Sequence, residues 1–167
     1  TVTVVGAGLM GHGIAAEFAM AGYEVWLHSR SDESLDRARG MIRDSLERLR
    51  SFGRLSRAQV ESVPGKVHMS TDLNVAAGSA DLVIESIYED LDAKRELFGK
   101  LDKLCPDRTV LASNTSSFPP SKFAEATERP DKVINTHFLN PPYLVPLGEV
   151  VPTPQTSDET TRVVMDL

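Results

Sequence analysis

A histidine and a glutamate on either side of a proline-rich stretch are the residues best placed to do chemistry in this sequence. The prolines in 141–146 exclude a helix between His137 and Glu149 and predict a chain reversal. If the turn centres near Tyr143, the two side chains lie opposite each other on one face of a hairpin. A carboxylate beside an imidazole fixes the tautomer of the ring and favours its charged form, so His137 could accept a hydroxyl proton. An isolated histidine or glutamate more often has a structural or solvent-exposed role, so this interpretation depends on the pairing.

Two polar segments follow predicted strands and supply further candidates. Their sequences are Ser-Asn-Thr-Ser-Ser at 113–117 and Asn-Thr-His-Phe-Leu-Asn-Pro-Pro at 135–142. Ligands of a doubly wound sheet bind beyond the carboxyl ends of its strands, where both segments are expected. Ser116 is then a suitable hydrogen-bonding partner for a substrate oxygen. The alternative is a hydroxyl-rich loop that only caps a helix near Ser121.

The chain begins with a β-branched run that ends in a glycine-rich turn, Gly6-x-Gly8-x-x-Gly11, directly before a predicted helix. Gly6 permits a tight turn, Gly8 lets the backbone approach a pyrophosphate, and Gly11 lets the helix pack closely on its strand. The amino terminus of the helix favours an anion. The turn therefore predicts a dinucleotide site, and the alternative is a glycine-rich turn without a ligand.

Strand and helix patterns alternate along the chain and predict an α/β fold. We expect a Rossmann-type, doubly wound, mostly parallel sheet with helices on both faces, built as one domain over 1–167. The last helix reaches the end of the sequence, so we expect the chain to be part of a longer polypeptide. Strands are predicted at 2–5, 24–28, 67–70, 81–85, 109–112, 133–139 and 147–151, and helices at 9–21, 31–53, 56–59, 89–105, 121–126 and after Ser157.

The composition disfavours several classes of protein. The 167 residues carry 18 basic and 24 acidic side chains, a net charge of -6, and no basic cluster, which disfavours a nucleic-acid partner. Cys105 is the only cysteine, so no intramolecular disulfide can form and we expect no metal site. No apolar stretch is long enough to span a membrane, and the chain starts with a strand rather than a signal sequence. We therefore expect a cytoplasmic protein with no membrane partner.

Four motifs in this order resemble the L-3-hydroxyacyl-CoA dehydrogenase family: Gly-Ala-Gly-Leu-Met-Gly, Glu-Asp-Leu-x-x-Lys, Ser-Asn-Thr-Ser-Ser and His-Phe-x-Asn-Pro-Pro. The resemblance covers nearly the whole chain and is to the NAD-binding domain. It implies an oxidoreductase that transfers a hydride between a nicotinamide cofactor and the 3-hydroxyl or 3-keto carbon of an acyl-CoA such as 3-hydroxybutyryl-CoA.

The resemblance also assigns roles to individual residues. It makes His137 the catalytic base, Glu149 its partner and Ser116 a contact of the substrate hydroxyl, with Asn140 and Asn114 near the reacting centre. The residues that it places at the cofactor are Gly6, Gly8, Leu9, Met10, Gly11, Ser29, Arg30, Ser86, Glu89, Lys94, Asn114, Ser116 and Asn140.

Several departures from the family pattern keep alternatives open. Family members that use NAD end the second strand in an acid, whereas this chain has Ser29 and Arg30, which favours NADP(H) over NAD(H). Gly148 replaces a branched residue before Glu149 and could loosen that strand. The segments Asn-Pro-Pro-Tyr at 140–143 and Val-Val-Pro-Thr-Pro-Gln-Thr at 150–156 also resemble the branch that contains L-gulonate dehydrogenase, or lambda-crystallin. A free hydroxy acid, a carrier-bound acyl group, or a non-catalytic nucleotide-binding role therefore remain alternatives.

The family implies a helical carboxyl-terminal domain that the sequence lacks. In the family this domain contributes to the substrate cleft and to a dimer interface, so we expect a homodimeric parent protein. We also expect the 167-residue chain to bind a dinucleotide but to turn over substrate weakly or not at all.

Overall fold

Seven strands form one sheet in the computed structural model, which describes residues 1–145 and 147–167. The strands are β1 (Val2–Val5), β2 (Val25–His28), β3 (Val67–Ser70), β4 (Leu82–Glu85), β5 (Val110–Ser113), β6 (Val133–Phe138) and β7 (Gly148–Pro152). Their order is β3-β2-β1-β4-β5-β6-β7, and all neighbours are parallel except β6 and β7. This order confirms the predicted Rossmann-type fold. Pro146, one of the prolines that predict the chain reversal, lies outside the described residues.

The helices connect these strands and cover both faces of the sheet. They are α1 (Gly11–Met20), α2 (Asp32–Ser51), α3 (Arg57–Ser62), α4 (Leu73–Ala77), α5 (Leu91–Leu104), α6 (Ser121–Ala124) and α7 (Asp158–Met165), with 3-10 turns at Val63–Lys66 and Pro130–Lys132. Ser31, Ser56 and Ser157 cap α2, α3 and α7, as their positions predict. No described helix is both long enough and apolar enough to cross a bilayer.

The predicted boundaries are wrong by one to three residues at several places. Helix α1 begins at Gly11 rather than residue 9, because residues 8–10 form the turn. Strand β5 runs one residue later than predicted, and α6 ends at Ala124 rather than residue 126. The prediction missed α4, whose five residues are too few for a helical period to be recognised. Its cap, Asp72, was the one available signal.

Two apolar clusters lie on opposite faces of the sheet. On one face, alternate strand residues such as Val4, Leu27 and Ile84 pack against α1 and α2. On the other face, the intervening residues Val83 and Leu111 pack with α5 and α6. Because both faces are covered, the central strands are buried throughout, and only their carboxyl ends can present polar groups to a ligand.

Candidate active site

The glycine-rich turn has the geometry that its spacing predicts. Gly6 has φ +114°, and a Cβ atom there would stand 2.3 Å from the carbonyl oxygen of Ser86. A Cβ atom on Gly11 would stand 1.7 Å from the carbonyl oxygen of Gly6, so only glycine lets α1 approach β1 this closely. A Cβ atom on Gly8, by contrast, would have nothing within 4 Å. The open space at Gly8, in front of the amino terminus of α1, fits a dinucleotide pyrophosphate.

Two cavities meet at this turn and form one elongated crevice along the carboxyl edge of the sheet. The main cleft, of about 620 Å³, lies between the turn and the loops that follow β4, β5 and β6. The side cavity, of about 400 Å³, extends toward the end of β2. Both are lined by Gly8 and by Ser86, Ile87 and Tyr88. A two-part crevice centred on the glycine turn suits a ligand with two nucleotide halves.

His137 and Glu149 meet as the proline-rich segment predicts. They are directly opposed in the antiparallel β6–β7 pair, and Nδ1 of His137 lies 2.8 Å from Oε2 of Glu149. The His137 side chain is 23% exposed and lines the main cleft, whereas the Glu149 side chain is 64% exposed. Gly148 pairs with Phe138 in the antiparallel β6–β7 pair, so it does not disturb the register of Glu149.

The three other candidates for the reacting centre also line the main cleft. Ser116 and Asn140 are exposed there, one on the loop after β5 and the other on the loop after β6. Asn114 is half-buried, and its Oδ1 accepts a hydrogen bond from the backbone N–H of Phe138 at 2.8 Å. Asn114 therefore ties the loop after β5 to the end of β6.

A buried ion pair forms one wall of the main cleft. The side chains of Glu85, at the end of β4, and Lys94, on α5, are 0% and 1% exposed. Nζ of Lys94 lies 2.8 Å from Oε1 of Glu85. Oε1 of Glu85 also accepts from the backbone N–H of Ile87 at 2.7 Å, and Oε2 accepts from the Ser113 hydroxyl at 2.5 Å. The carboxylate therefore holds the Ser86–Tyr88 loop that both cavities share.

Lys94 reaches a second carboxylate at the surface of the cleft. Its Nζ lies 3.1 Å from Oε2 of Glu89, whose Oε1 accepts a hydrogen bond from the Thr115 hydroxyl. Burial raises the pKa of Glu89, but the hydrogen bonds from Thr115 and Lys94 and the charge of Lys94 outweigh it, so that this pKa lies below its usual value. Glu89 therefore keeps its negative charge in the cleft at neutral pH.

The side cavity carries no carboxylate at the end of β2. Ser29 and Arg30 line it, and the guanidinium carbon of Arg30 lies 5.8 Å from the centre of the Tyr88 ring. Lys100 lines the same cavity, where it is paired with Glu96 at 2.6 Å.

A family model described as "3-hydroxyacyl-CoA dehydrogenase, NAD binding domain" matches residues 1–167. The chain belongs to this family. A probable 3-hydroxybutyryl-CoA dehydrogenase of Deinococcus radiodurans is 44% identical over 163 residues, which cover 98% of this chain and 58% of that protein. The mitochondrial hydroxyacyl-coenzyme A dehydrogenase of Sus scrofa is 40% identical and is covered to 54%. The crystal structure of (S)-3-hydroxybutyryl-CoA dehydrogenase from Ralstonia eutropha superimposes with a TM-score of 0.94 at 34% identity, covering 99% of this chain and 58% of that one.

The comparisons confirm the predicted family and a nicotinamide dinucleotide as the cofactor class. The chain spans a little over half the length of these relatives. Among the cofactor candidates, Gly8, Leu9, Met10, Ser86, Glu89 and Lys94 line the main cleft, Gly6, Ser29 and Arg30 line the side cavity, and Gly11 lies beneath the turn.

Sequence reasoning missed three residues of the site. Glu85 is a charged residue at the end of an apolar strand, which is a signal that could have identified it. Thr115 and Tyr88 have no comparable signal, because their roles depend on contacts with Glu89 and Arg30 across the crevice.

Proposed function

We propose that this domain is the dinucleotide-binding and catalytic part of a dehydrogenase that interconverts an L-3-hydroxyacyl-CoA, such as 3-hydroxybutyryl-CoA, and its 3-keto form. Membership of the family supports this proposal, as do the activities for which the relatives are named. The single observation that carries it is the paired imidazole and carboxylate at the wall of the main cleft.

His137 is proposed to take the proton of the substrate hydroxyl. Its Nδ1 is engaged by Glu149, and its Nε2 has no hydrogen-bond partner among the described residues. The Nδ1–H donates to the carboxylate, which fixes the tautomer and leaves Nε2 as the proton acceptor. The negative charge of Glu149 then stabilises the imidazolium that forms. In the reverse direction the same nitrogen returns the proton.

Ser116 and Asn140 are proposed to orient the substrate oxygen. Both are exposed in the main cleft that His137 lines, and both side chains can donate a hydrogen bond to a hydroxyl or keto oxygen. Asn114 acts indirectly, since its Oδ1 is already engaged by the backbone of Phe138. It keeps the loop that carries Ser116 in register with the strand that carries His137.

The glycine turn and the wall of the main cleft are proposed to hold the cofactor. When bound, a nicotinamide dinucleotide accepts or supplies the hydride. Gly8 and the amino terminus of α1 would hold its pyrophosphate, and Ser86, Glu89 and Lys94 would line its nicotinamide half. Lys94 is constrained by both carboxylates, so its ammonium group has a fixed position there.

The side cavity favours NADP(H) over NAD(H). A carboxylate at the end of β2 would bind the ribose hydroxyls and repel a 2′-phosphate, whereas Ser29 and Arg30 supply a hydroxyl and a cation. Arg30 lies over Tyr88, at the edge of the cavity, where it is available to a phosphate.

The proposed activity is tested with the full-length native protein that contains these residues. We expect L-3-hydroxybutyryl-CoA to be oxidised, followed by the absorbance of the reduced nicotinamide, and the D isomer to be inert. Absence of turnover with the L isomer under either cofactor would overturn the proposal.

A further inference from the structure

A third cavity, smaller than the main cleft and the side cavity, adjoins the catalytic pair and has no role in the function proposed above. This hairpin pocket of about 260 Å³ lies between the loop after β5 and one face of β6 and β7. It shares Ser116 and His137 with the main cleft. A substrate held at His137 therefore has room for a substituent that points away from the dinucleotide crevice.

Asn135 gives the pocket an unsatisfied hydrogen-bond acceptor. It precedes His137 by two residues on β6, so both side chains lie on the same face of the sheet, opposite Val151 and Glu149. Asn135 is 7% exposed, and its Nδ2 donates to the carbonyl oxygen of Thr115 at 3.0 Å. Its Oδ1 is buried and has no partner among the described residues. Buried polar atoms are seldom left unpaired, so this oxygen needs a donor from outside the protein, which is a water molecule or a ligand group.

The charges around the pocket decide which donor fits. Asn135 supplies a neutral acceptor and Glu149 a negative one. The remaining wall includes Thr115, Ser116 and Ser117, which carry hydroxyl groups, and the carbon surfaces of Phe118 and Val151. An ammonium group would place a positive charge beside His137, which itself becomes positive when it takes the substrate proton. A neutral hydroxyl group donates the same hydrogen bond without opposing that proton transfer.

We propose that the hairpin pocket binds a second hydroxyl group of the substrate, carried on the carbon next to the one that is oxidised. Asn135 Oδ1 accepts its hydrogen bond, and the apolar wall contacts the carbon that bears it. The preferred substrates are therefore 3,4-dihydroxyacyl compounds, and a plain 3-hydroxyacyl chain reacts without this hydrogen bond. This inference rests on the proposed function, because His137 defines which carbon is oxidised.

The test compares three CoA thioesters as substrates of the full-length native protein. Their acyl groups are 3-hydroxybutyryl, 3,4-dihydroxybutyryl and 3-hydroxy-4-methoxybutyryl. The methoxy compound keeps the oxygen but cannot donate a hydrogen bond. We expect kcat/KM for the dihydroxy compound to exceed that for the methoxy compound by about tenfold, because the latter leaves the buried acceptor unpaired.

Asn135→Leu removes the acceptor with little change of shape, and it should lower the ratio of kcat/KM for the dihydroxy and plain substrates by about tenfold. Thr136→Val is the matched control. Like the leucine variant, it removes a buried polar atom that has no partner among the described residues, here the Thr136 hydroxyl. Because Thr136 lies on the opposite face of β6, the ratio of kcat/KM for the two substrates should not change. Asn135→Asp retains an acceptor and should retain the preference. If the leucine variant does not fold, the comparison of the dihydroxy and methoxy compounds in the unmodified protein remains the test.

Three results would overturn the inference. The first is equal kcat/KM for the dihydroxy and methoxy compounds, which would indicate that the pocket holds only water. The second is a substrate ratio that Asn135→Leu leaves unchanged. The third is failure of all three thioesters to react, which would contradict the proposed function itself and the inference with it.

Discussion

At the scale of single residues, the proposed preference of the side cavity for NADP(H) depends on Ser29 and Arg30 at the end of β2. Ser29 stands where a carboxylate would bind ribose hydroxyls, and Arg30 extends over Tyr88 beside it. In the proposed function, the cavity attracts a 2′-phosphate through Arg30. Its preference depends on these side chains rather than on the backbone, so substitution should change it without disturbing the fold.

Arg30→Gln should weaken NADPH binding by about tenfold and leave NADH binding nearly unchanged, because a charge-assisted hydrogen bond to the extra phosphate is lost. The 167-residue chain can be titrated with both cofactors by fluorescence, with the half-buried Trp26 on β2 as a reporter. Arg39→Gln, on the exposed face of α2, is the matched control and should have no effect. A tenfold preference of the unmodified chain for NADH would contradict the assignment.

His28 should make the stability of the domain depend on pH. Burial lowers the pKa of this histidine below 6.5, and a hydrogen bond to the backbone of Thr71 and the charge of Asp72 offset the shift only in part. Since the unfolded chain binds the proton more tightly, the free energy of unfolding is highest above pH 6.5 and falls as the pH drops below that value.

His28→Leu should remove this part of the acid sensitivity. Between about pH 7.5 and about pH 5.5, the unmodified chain should lose more unfolding free energy than the variant. Urea denaturation at the two pH values measures the difference. Equal losses in the two proteins would show that His28 is not the titrating group.

Some side-chain contacts could be predicted from the sequence, and others could not. The His137–Glu149 pair was predictable because the prolines require a reversal and a hairpin register then follows from residue number. The burial of Lys94 was not, because its position on α5 resembles that of a solvent-exposed residue. Its partner lies on another element, and only the packing of α5 beside β4 brings the two charges together.

At the scale of elements, the junction of β4, α5 and β5 determines the shape of the crevice. Glu85 accepts hydrogen bonds from the loop after β4, from Lys94 on α5 and from Ser113 on β5. One carboxylate thus fixes three elements relative to each other. Because it is buried, its charge must remain compensated.

Lys94→Met should destabilise the domain by about 3–5 kcal/mol, because it leaves the Glu85 charge buried without a partner. The double variant Glu85→Gln with Lys94→Met should regain more than half of this loss, since glutamine can still accept from the Ile87 N–H. Urea denaturation of Lys94→Met, Glu85→Gln and the double variant gives the coupling free energy between the two side chains. Additive losses would contradict a buried ion pair.

The order of the elements was easier to predict than their ends. Apolar runs and serine caps identified all seven described strands and most helices, because buried strands and capped helices each have a local signature. The exact start of α1 depends on how closely Gly11 approaches Gly6, and α4 depends on one capping aspartate, so neither has a strong periodic signal.

At the scale of the whole molecule, the domain is expected to bind without completing the reaction. The chain spans 58% of the Deinococcus relative, and it exposes Leu147, Val163 and Met165. We expect the isolated chain to bind dinucleotide but to react at least about a hundredfold more slowly than the full-length protein, because the substrate is incompletely positioned. We also expect it to self-associate as its concentration rises.

Steady-state rates of the isolated and full-length proteins, compared at equal concentration, measure this difference. Analytical ultracentrifugation over a range of concentrations measures the association. Comparable rates for the two forms would show that residues 1–167 contain the complete substrate site.

The central claim is that the imidazole held by Glu149 moves the proton while the glycine-lined crevice binds the dinucleotide. The most direct test is His137→Gln in the full-length protein, with His68→Gln on the exposed edge strand β3 as the control. We predict that kcat falls by about a hundredfold or more while the Kd of the dinucleotide stays within about twofold, and that the control changes neither. An unchanged kcat in His137→Gln would contradict the claim.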